Sequence, residues 1–534
     1  MSLISVQFAI FVLLVAAVYF IFPKKYRWTI LLIGSYIYYL NICNRYILYM
    51  MFTTVTSWIG GILIERQYTI QKQTVKEHKK EWSREERKAY KASMLKKCRW
   101  LMIAVLLVNF GILGFLKYSG FAMEIAQAVS NVFGGHVNFP IPAFVLPLGI
   151  SFYTFQSMGY IIDVYMEKVE AEHNLARFAL FVSFFPQIIQ GPIAMYDDLA
   201  HQLYQAHDFD FDRLKDGFAL ILWGIFKKIV IADRAVKLID YITEDSSQFS
   251  GTFILIAALM YALQLYADFS GGIDIVRGIG EILGIEMAEN FRRPYFSTSL
   301  TEYWHRWHIT LGNWVRTYVF YPLSISRTFL KMGKDMSKKW GKHFGKVLPT
   351  SLASLITFLI IGIWHGANAK YVAFGLWNGG VIMLIELVRP ITEKVFHKLR
   401  VNVESFAYRM VAMAWTFLLV LIGYYFDIAR NFTDAMHMLI RSVIDLHLSD
   451  RHNLHILLDC GLKKMDYKII LAATIFLFII SVMQERSGRK IRDMLWERNA
   501  FVQGLVLTIG IFVILLLGYY GPKLDASAFV YMQF

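Results

Sequence analysis

An all-α, polytopic membrane fold follows from three features of this 534-residue chain. It is 56% hydrophobic with a mean hydropathy of +0.44, more apolar than soluble domains usually are. Apolar runs long enough for helices recur from end to end. Between them the Lys and Arg residues gather into blocks, as in the loops of multi-pass proteins.

In chain order the candidate spans are 4–22, 28–42, 46–64, 101–117, 143–163, 175–193, 216–233, 251–268, 352–364, 371–388, 408–426, 468–484 and 501–519. Several fall short of the ~20 residues needed to cross ~30 Å of hydrocarbon. The expectation is therefore about 11–14 membrane helices, some short or re-entrant, with non-helical backbone held inside protein. The first run has no basic residue before it and no small-residue cleavage site, so it is expected to be an uncleaved span.

The formal net charge is +15. Residues 66–99 hold 12 Lys/Arg against 4 Glu, residues 327–346 hold 7 against one Asp, and 485–498 form a mixed cluster. None interleaves aromatics as a base-stacking surface would, so nucleic acid is not an expected partner. The blocks mark the cytoplasmic side, with 66–99 and 327–347 as basic cytoplasmic segments. The last span, starting after the 485–498 cluster, then runs outward and leaves the tail, 520–534, on the outer face. Cys43, Cys98 and Cys460 are odd in number and lack disulfide or CxxC spacing.

Two histidine–tryptophan stretches stand out against this apolar background. Trp364-His365-Gly366 lies between two apolar runs, and Trp304-His305-Arg306-Trp307-His308 precedes it by about sixty residues. A histidine at membrane depth is costly and by default marks function. Its pKa near neutrality suits proton transfer. Gly366 and Ala367 leave room beside His365, and Asn368 is a candidate oxyanion donor. His305 and His308 share a face if they lie on one helix. A metal site would need further ligands at zinc-like spacing, which are missing, so no metal is expected. For His308 the plain alternative is a buried histidine satisfied by backbone carbonyls.

Asp268, in Tyr-Ala-Asp-Phe-Ser-Gly-Gly-Ile-Asp, closes another apolar run and needs a partner, with Arg277, Arg292 and Arg293 as candidates. Residues 184–192 (FFPQIIQGP), containing Gln187, interrupt a span and suggest a broken helix lining a cavity, and 146–156 has the same character. Gly278, Gly280 and Gly284 give GxGxxxG rather than a dinucleotide-binding spacing.

Five stretches taken together resemble the membrane-bound O-acyltransferase family: LPLGISFYTFQSMGYIIDVY (146–165), FFPQIIQGPI (184–193), LQLYADFSGGIDI (263–275), ENFRRPYFSTSLTEYWHRWHITLGNWVRTYVFYPL (289–323) and WHGANAKYVAFGLWNG (364–379). They occur in the family's order. The similarity is to its bacterial branch of alginate O-acetyltransferases and teichoic-acid D-alanyltransferases. Gly272 stands where the family commonly has tyrosine. The resemblance implies a single helical membrane domain over 1–534 with a through-membrane tunnel, in a bacterial cytoplasmic membrane. It implies that His365 is the catalytic histidine, with His308 its partner at the other mouth of the tunnel. Asp268, Gln187, Arg306, Trp307, Trp364 and Asn368 become candidates for tunnel walls or substrate contacts.

The last six residues, Phe529 to Phe534 (FVYMQF), resemble the FxYxxF tail of bacterial envelope members. The resemblance implies that Tyr531 takes the acyl group and passes it on outside. A phenol is a far better leaving group than an alkyl alcohol, so a tyrosyl ester is a plausible relay. The implied donor is a cytoplasmic thioester, acetyl-CoA or an acyl carrier protein, with no tightly bound cofactor. The implied partners are an extracytoplasmic transferase protein and an envelope polysaccharide, O-acetylated as alginate is. D-alanyl transfer to teichoic acid is the alternative within the family. A proton-coupled transporter is the alternative outside it, and would predict inverted symmetry.

Overall fold

A computed structural model describes residues 2–134, 144, 146–447 and 455–520. The described chain is helical, apart from turns and one isolated antiparallel bridge between Phe291 and Trp307. It divides into two compact units, 1–218 with 276–288, and 219–275 with 289–534. The tail motif 529–534, with Tyr531, lies outside the described residues.

The first unit holds α1 (Val6–Ile21), α2 (Arg27–Cys43), α3 (Ile47–Glu77), α4 (Arg84–Val132), α5 (Ile150–Tyr165), α6 (Leu175–Ser183) and α7 (Tyr196–Tyr204). The 66–99 block, read from its mixed charges as one solvated helix, is broken in the structure. It is the end of α3, a turn, and the start of α4, where Ser83 and Glu86 form a reciprocal capping box. The broken stretch at 184–192 is confirmed. α6 stops at Ser183, and the buried Gln187 donates its amide to the Pro192 carbonyl at 2.6 Å. The 146–156 stretch is broken only at its start. Gly149, at φ +75°, turns the chain into a regular α5, and a Cβ there would sit 2.3 Å from the Ile188 carbonyl oxygen.

The division between units falls inside α8 (Phe211–Ile225) and inside α10 (Gly251–Ile282). The second unit continues α8 through a π-helical segment, Phe226–Ala232, into α9 (Asp233–Glu244). After α10 come α11 (Leu300–Arg306), α12 (Ile309–Val315), α13 (Tyr321–Ser324), α14 (Arg327–Trp340), α15 (Lys342–His365) and α16 (Ala369–Lys398). Then follow α17 (Phe406–Ile428), α18 (Phe432–Ile444), α19 (Ile456–Asp459), α20 (Lys464–Ser487), α21 (Ile491–Trp496) and α22 (Ala500–Leu517). The second basic block is α14, a helix without a buried residue, and the first turn of α15.

Among the described residues, eight helical stretches are long and apolar enough to cross a membrane, the first of them (24–77) containing both α2 and α3. α22 buries only Ile514 and otherwise faces outward with apolar side chains, as a helix solvated by lipid does. Four expected spans are not such helices: the one at 4–22 becomes the 16-residue α1, too short to be counted. The stretch at 143–163 becomes the 16-residue α5, and the one at 175–193 keeps only the nine-residue α6 before its Pro-Gln-Gly interruption. The stretch at 216–233 is broken by the π segment carrying Lys227 and Lys228.

Candidate active site

His365 is the last residue of α15. The turn to α16 is tight because Gly366 lies against Tyr371: a Cβ at Gly366 would be 2.1 Å from that ring. Asn368 caps α16, its side-chain oxygen accepting from the Lys370 N–H at 3.0 Å. The cap uses only the side-chain oxygen and leaves the amide N–H group of Asn368 as the candidate oxyanion donor. The α15–α16 hairpin closes on small residues. A Cβ at Gly375 would lie 2.6 Å from the Phe358 carbonyl oxygen, so the two backbones are in direct contact.

His308 is held differently. α11 stops at Arg306, and the next residues turn extended because Arg292 and Ile309 donate their N–H groups across the bridge, to Arg306 and Asn290 carbonyls at 2.9 and 3.0 Å. His308 then takes a left-handed conformation, φ +45°, before α12 begins. A non-glycine residue there costs on the order of 1–3 kcal/mol and is typical of functional sites. This break also separates His305 from His308: His305 is exposed and His308 is buried, so they do not share a helix face.

The protonation pattern of His308 follows from its neighbours. Asn290 Oδ1 accepts from the Thr310 N–H at 3.0 Å and the Thr310 hydroxyl at 2.9 Å. A backbone N–H can only donate, so this end of the amide is oxygen. His308 Nδ1, 3.2 Å from the same oxygen, therefore carries the proton, and Nε2 is the basic nitrogen. Phe269 packs edge-on to the imidazole, with centroids 4.9 Å apart.

The indole of Trp364 joins the two histidines. Its centroid is 6.1 Å from His308 and 4.9 Å from His365. The pair thus flanks one ring, with the start of α12 and the end of α15 on either side of it. Beside His365 is a narrow cavity of about 20 Å³, room for one or two waters. Trp304, Trp307, Asn378, Tyr424 and Asp427 help to line it. Trp304 donates to Asn378 at 3.1 Å, Tyr424 shares hydrogen bonds with Tyr303 and Tyr295 at 2.8 and 3.0 Å, and Tyr261 donates to Asp427 at 3.0 Å. An aromatic, low-dielectric wall with few, satisfied polar groups excludes water from the chemistry.

The other candidates have partners of their own. Asp268 is fully buried, and its partner is Lys228 at 2.6 Å, which also binds Asp233 at 2.8 Å. The expected arginines are engaged elsewhere: Arg293 with Glu485, Arg292 with Glu289, and Arg277 with the Met287 carbonyl. Arg306 bridges Glu302 and Glu485 at 2.7 and 3.0 Å. Gln187 belongs to the first unit and is absent from the cavity lining.

Sequence reasoning missed Lys227 and Lys228. The signal was present as two cations inside an apolar run, Ile-Phe-Lys-Lys-Ile-Val-Ile. The π segment turns both inward, Lys228 to Asp268 and Lys227 to Asp274 at 2.7 Å. Asn290 and Asp427 were also missed. Among the described residues no three His, Cys, Asp or Glu side chains form a metal-ligating group.

Two histidines thus flank one tryptophan beside a small aromatic cavity, within a polytopic helical bundle. A model of the membrane-bound O-acyltransferase family matches residues 167–334, which include Asp268 and His308. The chain is 33% identical to the probable alginate O-acetylase AlgI of Pseudomonas aeruginosa, over 79% of this chain and 70% of that protein. It is 28% identical to the peptidoglycan O-acetyltransferase of Helicobacter pylori (60% of this chain, 61% of that one). It is also 28% identical to the teichoic acid D-alanyltransferase of Bacillus subtilis (43% and 56%). The chain belongs to the membrane-bound O-acyltransferase family, and it is a multi-pass membrane acyltransferase.

Proposed function

We propose that this enzyme takes an acetyl group from a cytoplasmic thioester, acetyl-CoA or an acyl carrier protein, and delivers it for O-acetylation of an envelope polysaccharide, in a bacterial cytoplasmic membrane. The pairing of His308 and His365 across Trp364 at the cavity carries this reading. The likeness to an alginate O-acetylase supports acetyl as the acyl group and a polysaccharide as its destination.

In the proposed reaction His365 takes the proton of the Tyr531 hydroxyl as the oxygen attacks the thioester carbonyl. The C–O bond forms, the C–S bond breaks, and the departing thiolate takes up the proton. The acetyl-tyrosine then gives its acyl group to a sugar hydroxyl through an extracytoplasmic transferase, restoring the phenol. His308, its proton fixed on Nδ1, steadies Trp364 beside His365. Buried Asp268 and the Arg306 bridges hold these helices in register.

Membranes containing the protein and its extracytoplasmic transferase, supplied in turn with acetyl-CoA, an acetyl-loaded carrier protein and a D-alanyl-loaded carrier protein, test the reading by mass spectrometry of the acceptor polymer. Acetyl on the polymer supports it. D-alanine alone moves the enzyme to the other branch of its family, and transport of protons without any acyl transfer refutes it.

A further inference from the structure

A second cleft, of about 330 Å³, lies away from the histidines. This is the size of an ordinary ligand cleft, roughly 300–1,000 Å³. It is formed where α9 meets α10 and where α17 turns into α18, with Asp245, Arg430, Asn431, Asp434, His437 and Arg441 in its wall.

Its side of the membrane follows from the basic segments. α16 ends in the basic stretch 389–400, α17 departs from there, and α20 returns to the basic cluster at 486–498. The segment after α17 thus emerges opposite the positive face. α10 agrees: its far end leads to Arg293, which pairs with Glu485 at the basic end of α20. The cleft therefore opens on the same face as the end of α22, where the tail departs.

The polar groups of the cleft are unevenly used. Its acceptors are taken internally. Asp434 accepts from the Ser246 hydroxyl at 2.8 Å and the Arg430 N–H at 3.1 Å, and Asp245 accepts from Ser247 and Gln248. Arg441 is spent on Asp445 and on the Ser246 and Ser247 carbonyls. Asn431 Oδ1 caps α18 through the Asp434 N–H. What is left over, on three exposed residues, are the Asn431 amide nitrogen, the Arg430 guanidinium and the His437 imidazole, the last with one donor when neutral and two when protonated. Among the described residues neither of the last two makes a hydrogen bond or ion pair, although Asp245 lies near enough to feel the charge of Arg430. A cleft with its acceptors satisfied and its donors unspent suits a ligand rich in acceptors.

We propose that this outer cleft binds an anionic group, carboxylate or phosphate, of the acidic polymer chain that receives the acyl group. The proposal rests on the acyl-transfer reading above and gives it a place where polymer is held near the exit of the relay.

The test uses the full-length protein in nanodiscs and three probes of equal length: an oligouronate, an oligo(glycerol phosphate) and a neutral oligosaccharide. At least one acidic probe should bind about tenfold or more tightly than the neutral one, with affinity falling as salt rises. The tighter acidic probe distinguishes carboxylate from phosphate. The double variant Arg430→Gln/His437→Gln should lose about tenfold of that affinity while keeping thioester turnover. Asn431→Asp keeps the helix cap yet adds a negative charge, so it should weaken the acidic probes alone. Equal binding of acidic and neutral probes, or acidic binding unchanged in both variants, overturns the proposal. Wild-type protein that binds a probe but never turns over an acyl thioester overturns the acyl-transfer reading instead.

Discussion

His308 and His365 touch the same tryptophan but are built by opposite means. His308 is buried, sits on a left-handed backbone, and has its tautomer dictated by an asparagine that Thr310 orients. His365 ends a helix, is half-exposed at the cavity, and is bounded mainly by rings, with Phe374 at 5.6 Å and Tyr371 at 6.4 Å. A base must accept a proton and release it, so it needs a site that tolerates both charge states. The buried histidine suits positioning, and the half-exposed one at the cavity suits the chemistry.

The comparison breaks most visibly if the roles are exchanged. His365→Ala should lower acyl transfer about 10²–10⁴-fold with an unchanged melting temperature, measured as thioester turnover beside thermal unfolding. Normal turnover would remove its role as base. Asn290→Leu, which takes away the acceptor for His308 Nδ1, should lower turnover about tenfold or more by freeing the wrong tautomer. An intact rate in that variant would reduce His308 to packing.

Stability effects sharpen the same contrast. Lys228→Met leaves Asp268 and Asp233 buried without their cation, which costs about 3–5 kcal/mol where one partner of a buried pair is removed. Lys228→Met combined with Asp268→Asn and Asp233→Asn should recover much of that loss in thermal unfolding. A single variant as stable as wild type would show that the triad is not charged. The smallest effect belongs to Glu485→Gln. Its pairs with Arg293 and Arg306 are part-exposed, so screening holds the change to about 1 kcal/mol or less. A larger shift would mean that this network braces His308 directly.

The sequence made parts of this legible, and others only the fold could supply. His365, His308 and Trp364 announce themselves because histidine and tryptophan are conspicuous in apolar runs. Asp268 announced a need for a cation but not which one. Lys228 reaches it through close packing, since a Cβ at Gly224 would lie 2.5 Å from the Gly271 carbonyl oxygen, and through a π segment that no hydrophobic period encodes. His305 and His308 looked like one face because spacing assumes an unbroken helix, and the bridge to Phe291 breaks it. Proximity in sequence pointed to Asn368 but did not show that its side-chain oxygen caps α16. Short spans were miscounted for a related reason: apolar composition does not reveal where proline, glutamine or a lysine pair interrupts the helix.

The most direct test of the account is peptide-level mass spectrometry of wild type, Tyr531→Phe and His365→Ala after incubation with an acetyl thioester. The account predicts one acetyl group on the C-terminal peptide of wild type and none in either variant. An acetylated C-terminal peptide in His365→Ala, or polymer acetylation undiminished in Tyr531→Phe, would contradict it.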